Sequence, residues 1–114
     1  MRRTILVLFV VVLALSLAVG PAPAAPKGNA ANGKALYAKS CTTCHGAAGE
    51  PKEALAKMLK VTIRHLGSKE VQARSDDEIQ AAILKGTGKM KPVKDVDEKQ
   101  AADLVAHLRT LAQK

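Results

Sequence analysis

The chain has 114 residues and a formal net charge of +8, with two cysteines, three histidines, one tyrosine, one phenylalanine and no tryptophan. That length allows one small domain and excludes a multidomain protein. Basic residues are not interleaved with aromatics, which excludes a nucleic-acid-reading surface and leaves acidic partners, met by electrostatic steering, as the meaning of the charge.

Residues 1–24 read as an export signal. Arg2 and Arg3 give a positive end, Ile5 to Val19 run without a charge, and Ala22-Pro23-Ala24 has the small residues of a cleavage site. The apolar run is short of the ~20 residues of a membrane span, so cleavage after Ala24 is favoured over the alternative, an uncleaved anchor. The domain is then residues 25–114. All ten acidic residues but only sixteen of the eighteen basic ones follow Ala24, so the 90 residues remaining after removal of 24 carry +6. Tyr37 is their one aromatic side chain besides histidine. A core of Ala, Leu, Val and Ile is thin for that length, and a large flat apolar cofactor would complete it.

After a short leader, Asn29 can cap a helix over about 30–40, with Gly33, Leu36 and Tyr37 on one face. A glycine inside a helix costs about 1 kcal/mol relative to alanine, so Gly33 implies close approach by a second helix.

Cys41-Thr42-Thr43-Cys44-His45 follows, the C-x-x-C-H pattern of covalent haem attachment, and it uses both cysteines of the chain. Two thiols at this spacing can each add to one haem vinyl group, while the adjacent imidazole ligates the iron. Cys41 and Cys44 are therefore the candidate tethers and His45 the candidate proximal ligand. Three other readings compete. A thiol-disulfide redox centre would expect a strand leading into the motif, and none precedes it. A zinc site would have to recruit distant His65 and His107. A structural disulfide leaves His45 without a role.

Beyond the turn-rich Gly46 to Gly49, Pro51 can open a short helix through Glu53, Leu55 and Met58. Residues 60–74 are ambiguous. Ser75 and Glu78 form a capping box for a helix over about 76–85, with Ile79, Ala82 and Ile83 inward. Residues 86–94 are a loop of glycine, lysine and proline around Met90. Asp97 and Gln100 repeat the capping pattern before a last helix over about 98–113, whose stripe is Ala101, Leu104, Val105, Leu108 and Leu111.

An iron held by His45 has a second axial position, and Met58, Met90, His65 and His107 could fill it. Met90 is preferred: it lies in a loop without helical periodicity, Gly86 and Gly88 let the backbone pass close to a flat ring, and Pro92 stiffens the exit. Met58 reads as packing on a helix face, His65 as a partly exposed polar residue, and His107 as a rim residue of the last helix. A thioether ligand raises the reduction potential and suits electron transfer.

In this order of helix, C-x-x-C-H, capped helix, glycine-Met loop and terminal helix, the chain resembles the small single-haem class I cytochromes c from Gly33 to Leu111. Gly33-Lys34-Ala35-Leu36-Tyr37 looks like that family's first helix, Ser75 to Met90 like its approach to the methionine ligand, and Leu104 to Leu111 like its last helix. The resemblance implies an all-α cytochrome c fold of four or five short helices around one covalently attached haem c, with first and last helices packed together. It also implies His45 and Met90 ligation and electron carriage in the periplasm. Two departures stand out: Lys91 separates Met90 from Pro92, where the family often has proline directly after the methionine, and His107 replaces a common aromatic. Tyr37 is expected to pack on, or hydrogen-bond to, that imidazole.

The expected protein is thus a monomeric electron carrier and not an enzyme, since nothing resembles a catalytic acid, base or nucleophile. Lys85, Lys89, Lys91 and Lys94 flank Met90 and are the expected docking surface for acidic redox partners. Nucleic acid is not expected, nor is a membrane unless the N-terminal segment is retained. The rivals are a haem-based ligand sensor and a tethered haem subunit of a larger oxidoreductase.

Overall fold

The computed structural model describes residues 27–114 and, before them, Gly20 alone. The expected signal segment lies outside the described residues. Among the described residues five helices follow one another: α1 (Ala30–Ser40), α2 (Glu53–Leu59), α3 (Lys69–Gln72), α4 (Asp76–Lys85) and α5 (Glu98–Thr110). Among the described residues there is no strand, only isolated antiparallel bridges pairing His45 with Pro51 and Thr87 with Met90.

The capping residues read from the sequence hold the helix starts. The Asn29 side chain accepts from the N–H groups of Ala31 and Asn32. Ser75 and Glu78 close a reciprocal capping box on α4, and Asp97 and Gln100 close another on α5. α2 begins at Glu53 with Lys52 as its cap, two residues later than Pro51 suggested, because Pro51 is engaged in the bridge to His45. α5 ends at Thr110 and not at 113: the Gln113 N–H turns away to donate to the Gly67 carbonyl. The ambiguous stretch holds α3, whose cap is Ser68.

The first and last helices pack against each other, and α4 packs on α5. The core is Tyr37, Ile79, Ile83, Ala101, Leu104, Val105 and Leu108, so the stripe expected on α5 is the buried one. A Cβ on Gly33 would collide with the Asp103 carbonyl of α5 and crowd the His107 Cβ, which is why glycine stands inside α1. Asp103 is itself buried, and its carboxylate accepts the Asn29 N–H at 2.7 Å, so a side chain of α5 ties down the N-terminus of α1.

A second tie is Arg109. Its Nε and Nη2 donate to Asp76 at 2.9 and 2.6 Å, Nη1 to the Gln72 carbonyl at 2.8 Å, and Nη2 to the Arg74 carbonyl at 2.7 Å. One guanidinium thus satisfies the carbonyl of Gln72, the last residue of α3, that of Arg74 beyond it, and the first carboxylate of α4.

Two side chains differ from expectation. Met58 is 70 % exposed and not packed, because the buried side of the short α2 is Ala56. His107 is buried and not at the rim, with Nε2 lacking a partner, because the close approach at Gly33 closes α1 over it.

Candidate haem site

α1 delivers the motif. Cys41 is its C-cap residue, donating its N–H to the Tyr37 carbonyl at 2.9 Å. The chain then folds back tightly: the N–H groups of Cys44 and His45 both donate to the Cys41 carbonyl, at 3.2 and 2.9 Å. Cys41, Cys44 and His45 are therefore brought onto one turn, all three half-buried, and Cys41 packs against the core. The next residues return antiparallel, with Gly46 N–H donating to the Glu50 carbonyl and Lys52 N–H to the Cys44 carbonyl. Held by its own backbone N–H and then by the Ala48 N–H at 2.8 Å, the Glu50 carboxyl sits below the usual carboxylate range.

The electrostatics argue against a thiol-disulfide centre. Such a centre depends on a thiol pKa lowered by a helix N-terminus or a cation. Cys41 instead sits at a helix C-terminus, where the dipole disfavours an anion, and burial followed by the neighbouring Cys44 pushes its thiol up to about 11. The two thiols are not joined to each other. Burial also holds the His45 imidazole below its ordinary range, which favours the neutral, ligating form. Its Nδ1 is buried without a hydrogen-bond partner. Two unpaired thiols and a neutral imidazole on one turn, uncommitted to any protein partner, fit the donor set of a covalently attached haem.

Met90 comes from a different part of the chain, in a loop whose Val93 packs against the core. Thr87 and Met90 exchange N–H to carbonyl bonds of 2.9 Å across a turn containing Gly88, whose φ of +54° lies in the left-handed region. Gly86, at φ +78°, admits no side chain, since a Cβ would meet the Met90 carbonyl and the Pro92 ring. The Val93 N–H then donates to the Ile83 carbonyl of α4, so the loop is pinned on its exit side despite the Lys91 insertion. Lys85, Lys89, Lys91 and Lys94 around it are all exposed.

His65 is half-buried and its Nδ1 accepts from the Gly67 N–H at 3.0 Å, a local turn contact. A groove of about 370 Å³ is lined by Glu53, Ala56, Lys57, Lys60, Val61, Thr62 and Ile63 and includes none of the four site residues.

Tyr37 carries information that sequence reasoning found only in part. Its ring meets the His107 imidazole edge-on, with centroids 5.1 Å apart and planes at 61°. Its hydroxyl, however, donates to the Gly46 carbonyl at 2.6 Å and not to His107. Burial, then the neighbouring Cys41 and Glu50, push that phenol up to about 12, so it remains a donor.

The chain matches, over residues 28–108, the family model described as cytochrome C oxidase, cbb3-type, subunit III. The chain belongs to this family of c-type cytochromes. Among solved structures it is similar to the KustC0563 c-type cytochrome, at 33 % identity over 71 % of this chain and 98 % of that one, with a TM-score of 0.61. No curated protein matches it. The cytochrome accordingly carries covalently attached haem c, for which Cys41 and Cys44 have the required spacing, and its function is haem-based electron transfer with redox partners.

Buried His107 should make the cytochrome's stability depend on pH. Burial, and after it the Lys34 ammonium of α1, holds the imidazole below its ordinary value of 6.5. The carboxylate one turn away, on Asp103, is already occupied by the Asn29 N–H. As pH falls through 6.5 the unfolded chain takes up this proton before the folded one does. The His107 contribution is therefore complete above 6.5 and is lost as pH falls from there toward the lower folded-state value. Denaturant midpoints measured from pH 7.5 to 4.5 should fall more steeply for the parent than for His107→Leu, and parallel curves would contradict this.

Proposed function

We propose that this cytochrome is a one-electron carrier of the periplasm in which Cys41 and Cys44 tether the haem and His45 and Met90 are its axial ligands. What supports the reading is two independently built devices: the turn at the end of α1 that carries Cys41, Cys44 and His45, with Cys41 against the core, and the glycine turn that carries Met90, tied to the same core through Val93. Bound haem supplies the Fe(III)/Fe(II) couple.

The chain's own contribution is positional. The Cys41 carbonyl, accepting from both Cys44 and His45, fixes the proximal turn, while Gly86 and the Thr87–Met90 bonds fix the distal one. Ligand groups held by rigid backbone move little between oxidation states, which keeps the reorganisation accompanying electron transfer small. Export by residues 1–24 belongs to the same reading, as does a monomeric state.

Lys85, Lys89, Lys91 and Lys94 form the docking surface for acidic partners. Electron-transfer rates to an acidic partner should fall by about tenfold as ionic strength rises from roughly 0.01 to 0.15 M, because surface steering is screened over that range. Rates that do not depend on salt would remove the docking assignment.

The matched family's description as an oxidase subunit favours one second reading, a haem subunit of a larger oxidoreductase. Purification of the native cytochrome decides between them: a stable assembly with an enzyme supports the second reading, and recovery as a free small protein supports the first.

A further inference from the structure

α2 shows its apolar residues to solvent. Met58 is 70 % exposed and Leu59 39 %, and they are the large hydrophobic side chains left exposed among the described residues. Ala56 is the residue of α2 turned into the protein. Met58, two residues on, stands about 200° round the helix from it, so its thioether points away from the core against which Cys41 packs. A cofactor that completes that core does not cover it.

The charge of the domain gathers on the same stretch. Residues 27–64 hold seven basic and two acidic residues, a net +5, whereas residues 65–114 hold nine and eight, a net +1. The lysines around Met90 are thus largely balanced by acids of their own half of the chain, and those of α2 are not. Lys52, Lys57 and Lys60 are exposed, and among the described residues none of them is paired with a carboxylate. Lys57 and Lys60 stand together on the groove beside α2, whose apolar lining is Ala56, Val61 and Ile63.

Lys60 is also held in an unfavourable backbone state. It ends α2 with φ 54° and ψ 48°, the left-handed conformation that glycine adopts at helix ends without steric cost. A lysine there gives up stability, and strain of this kind gathers where a side chain has a task. Like charges three residues apart on one helical face add to the cost.

We propose that α2 is an interaction surface for an acidic protein partner: Met58 and Leu59 are its apolar anchor, and Lys57 and Lys60 receive the partner's carboxylates. The surface lies on a different element from the lysines of the Met90 loop, and the inference holds whichever residues ligate the iron. A lipid surface fits less well, because a helix of seven residues with two exposed apolar side chains lacks the broad apolar face of an interfacial helix. An acidic protein surface supplies both complements, an apolar contact released from water and fixed acceptors for the two ammonium groups.

The probe is a synthetic peptide of alternating glutamate and leucine, titrated into the reduced holo cytochrome while backbone amide resonances are followed. Amides of residues 53–63 should shift and saturate. Lys57→Glu should weaken binding by about tenfold and Met58→Gln by about fivefold, with denaturant midpoints near the parent's because both side chains are exposed. Lys60→Gly should be more stable than the parent and yet bind about threefold more weakly. That opposite movement marks a side chain kept for contact at the expense of stability.

The proposal is overturned if the amides of residues 53–63 do not shift, if Met58→Gln binds as the parent does, or if Lys60→Gly gains stability with no loss of binding. Phosphatidylglycerol vesicles that bind the cytochrome in preference to the peptide and shift the same amides would make a membrane the occupant, and overturn it equally. Dilute hydrogen peroxide tests whether the haem covers the anchor. In the holo protein Met58 should form its sulfoxide about as fast as a methionine in an unstructured peptide, and a shielded Met58 would contradict the proposal.

Discussion

Gly33→Val should destabilise the cytochrome by about 3 kcal/mol or more, a large share of the 5–15 kcal/mol that holds a domain of this kind together. The effect does not come from helix propensity, for which glycine is the poorer residue. It comes from backbone meeting backbone: the first atom added at Gly33 lands on the Asp103 carbonyl, with the His107 Cβ beside it. A flexible side chain could swing away, but a carbonyl in the middle of α5 cannot move without shifting that helix. Separation of α1 from α5 would also pull the Asn29 N–H from the buried Asp103 carboxylate, leaving a charge without its donor. Denaturation followed by helical circular dichroism reads the result directly. Gly33→Ala, already disfavoured at Cβ, should fall between parent and valine variant, and an alanine variant as stable as the parent would show that the helices do not approach as described.

The second large loss should come from Arg109→Met, about 2 kcal/mol. The substitution keeps most of the apolar stem and removes donors to the Gln72 and Arg74 carbonyls and to Asp76. Each group left behind loses its partner, and donors on a charged group are worth more than neutral ones. The Arg109 side chain is 23 % exposed and that of Asp76 40 %, so water recovers part of the cost and the loss stays below that of a fully buried pair. Arg109→Lys should recover little, since a single ammonium cannot reach three acceptors in a planar fork. Full recovery with lysine would mean that charge alone matters at this position.

These two residues also mark what was and was not readable from the sequence. Gly33 was legible because a glycine inside an amphipathic helix has few explanations other than close packing. The capping boxes at Ser75 and Asp97, the α5 stripe and the glycines around Met90 were legible for a related reason, as each encodes a local backbone demand in residue type and spacing. The C-x-x-C-H turn was legible because its chemistry lies within five consecutive residues.

Arg109, Asp103 and the Tyr37 hydroxyl were not legible in this way. Each acts on a group 9 to 74 positions away along the chain, and a polar residue on a helix gives no sign of which distant carbonyl or N–H it will meet. One signal was available for Asp103, an acid directly preceding Leu104 beside the apolar stripe. Met58 was misjudged for a similar reason. On a helix of seven residues the burial of Ala56 does not extend to it, and helical spacing alone cannot say how wide a buried face is.

The ligand assignment is the centre of the functional account, and the optical spectrum of the oxidised cytochrome tests it most directly. With His45 and Met90 as ligands, the parent should show the weak far-red band of sulfur-to-iron charge transfer, and Met90→Ala should lose it. A parent without that band, or a Met90→Ala variant that keeps it, would contradict the account.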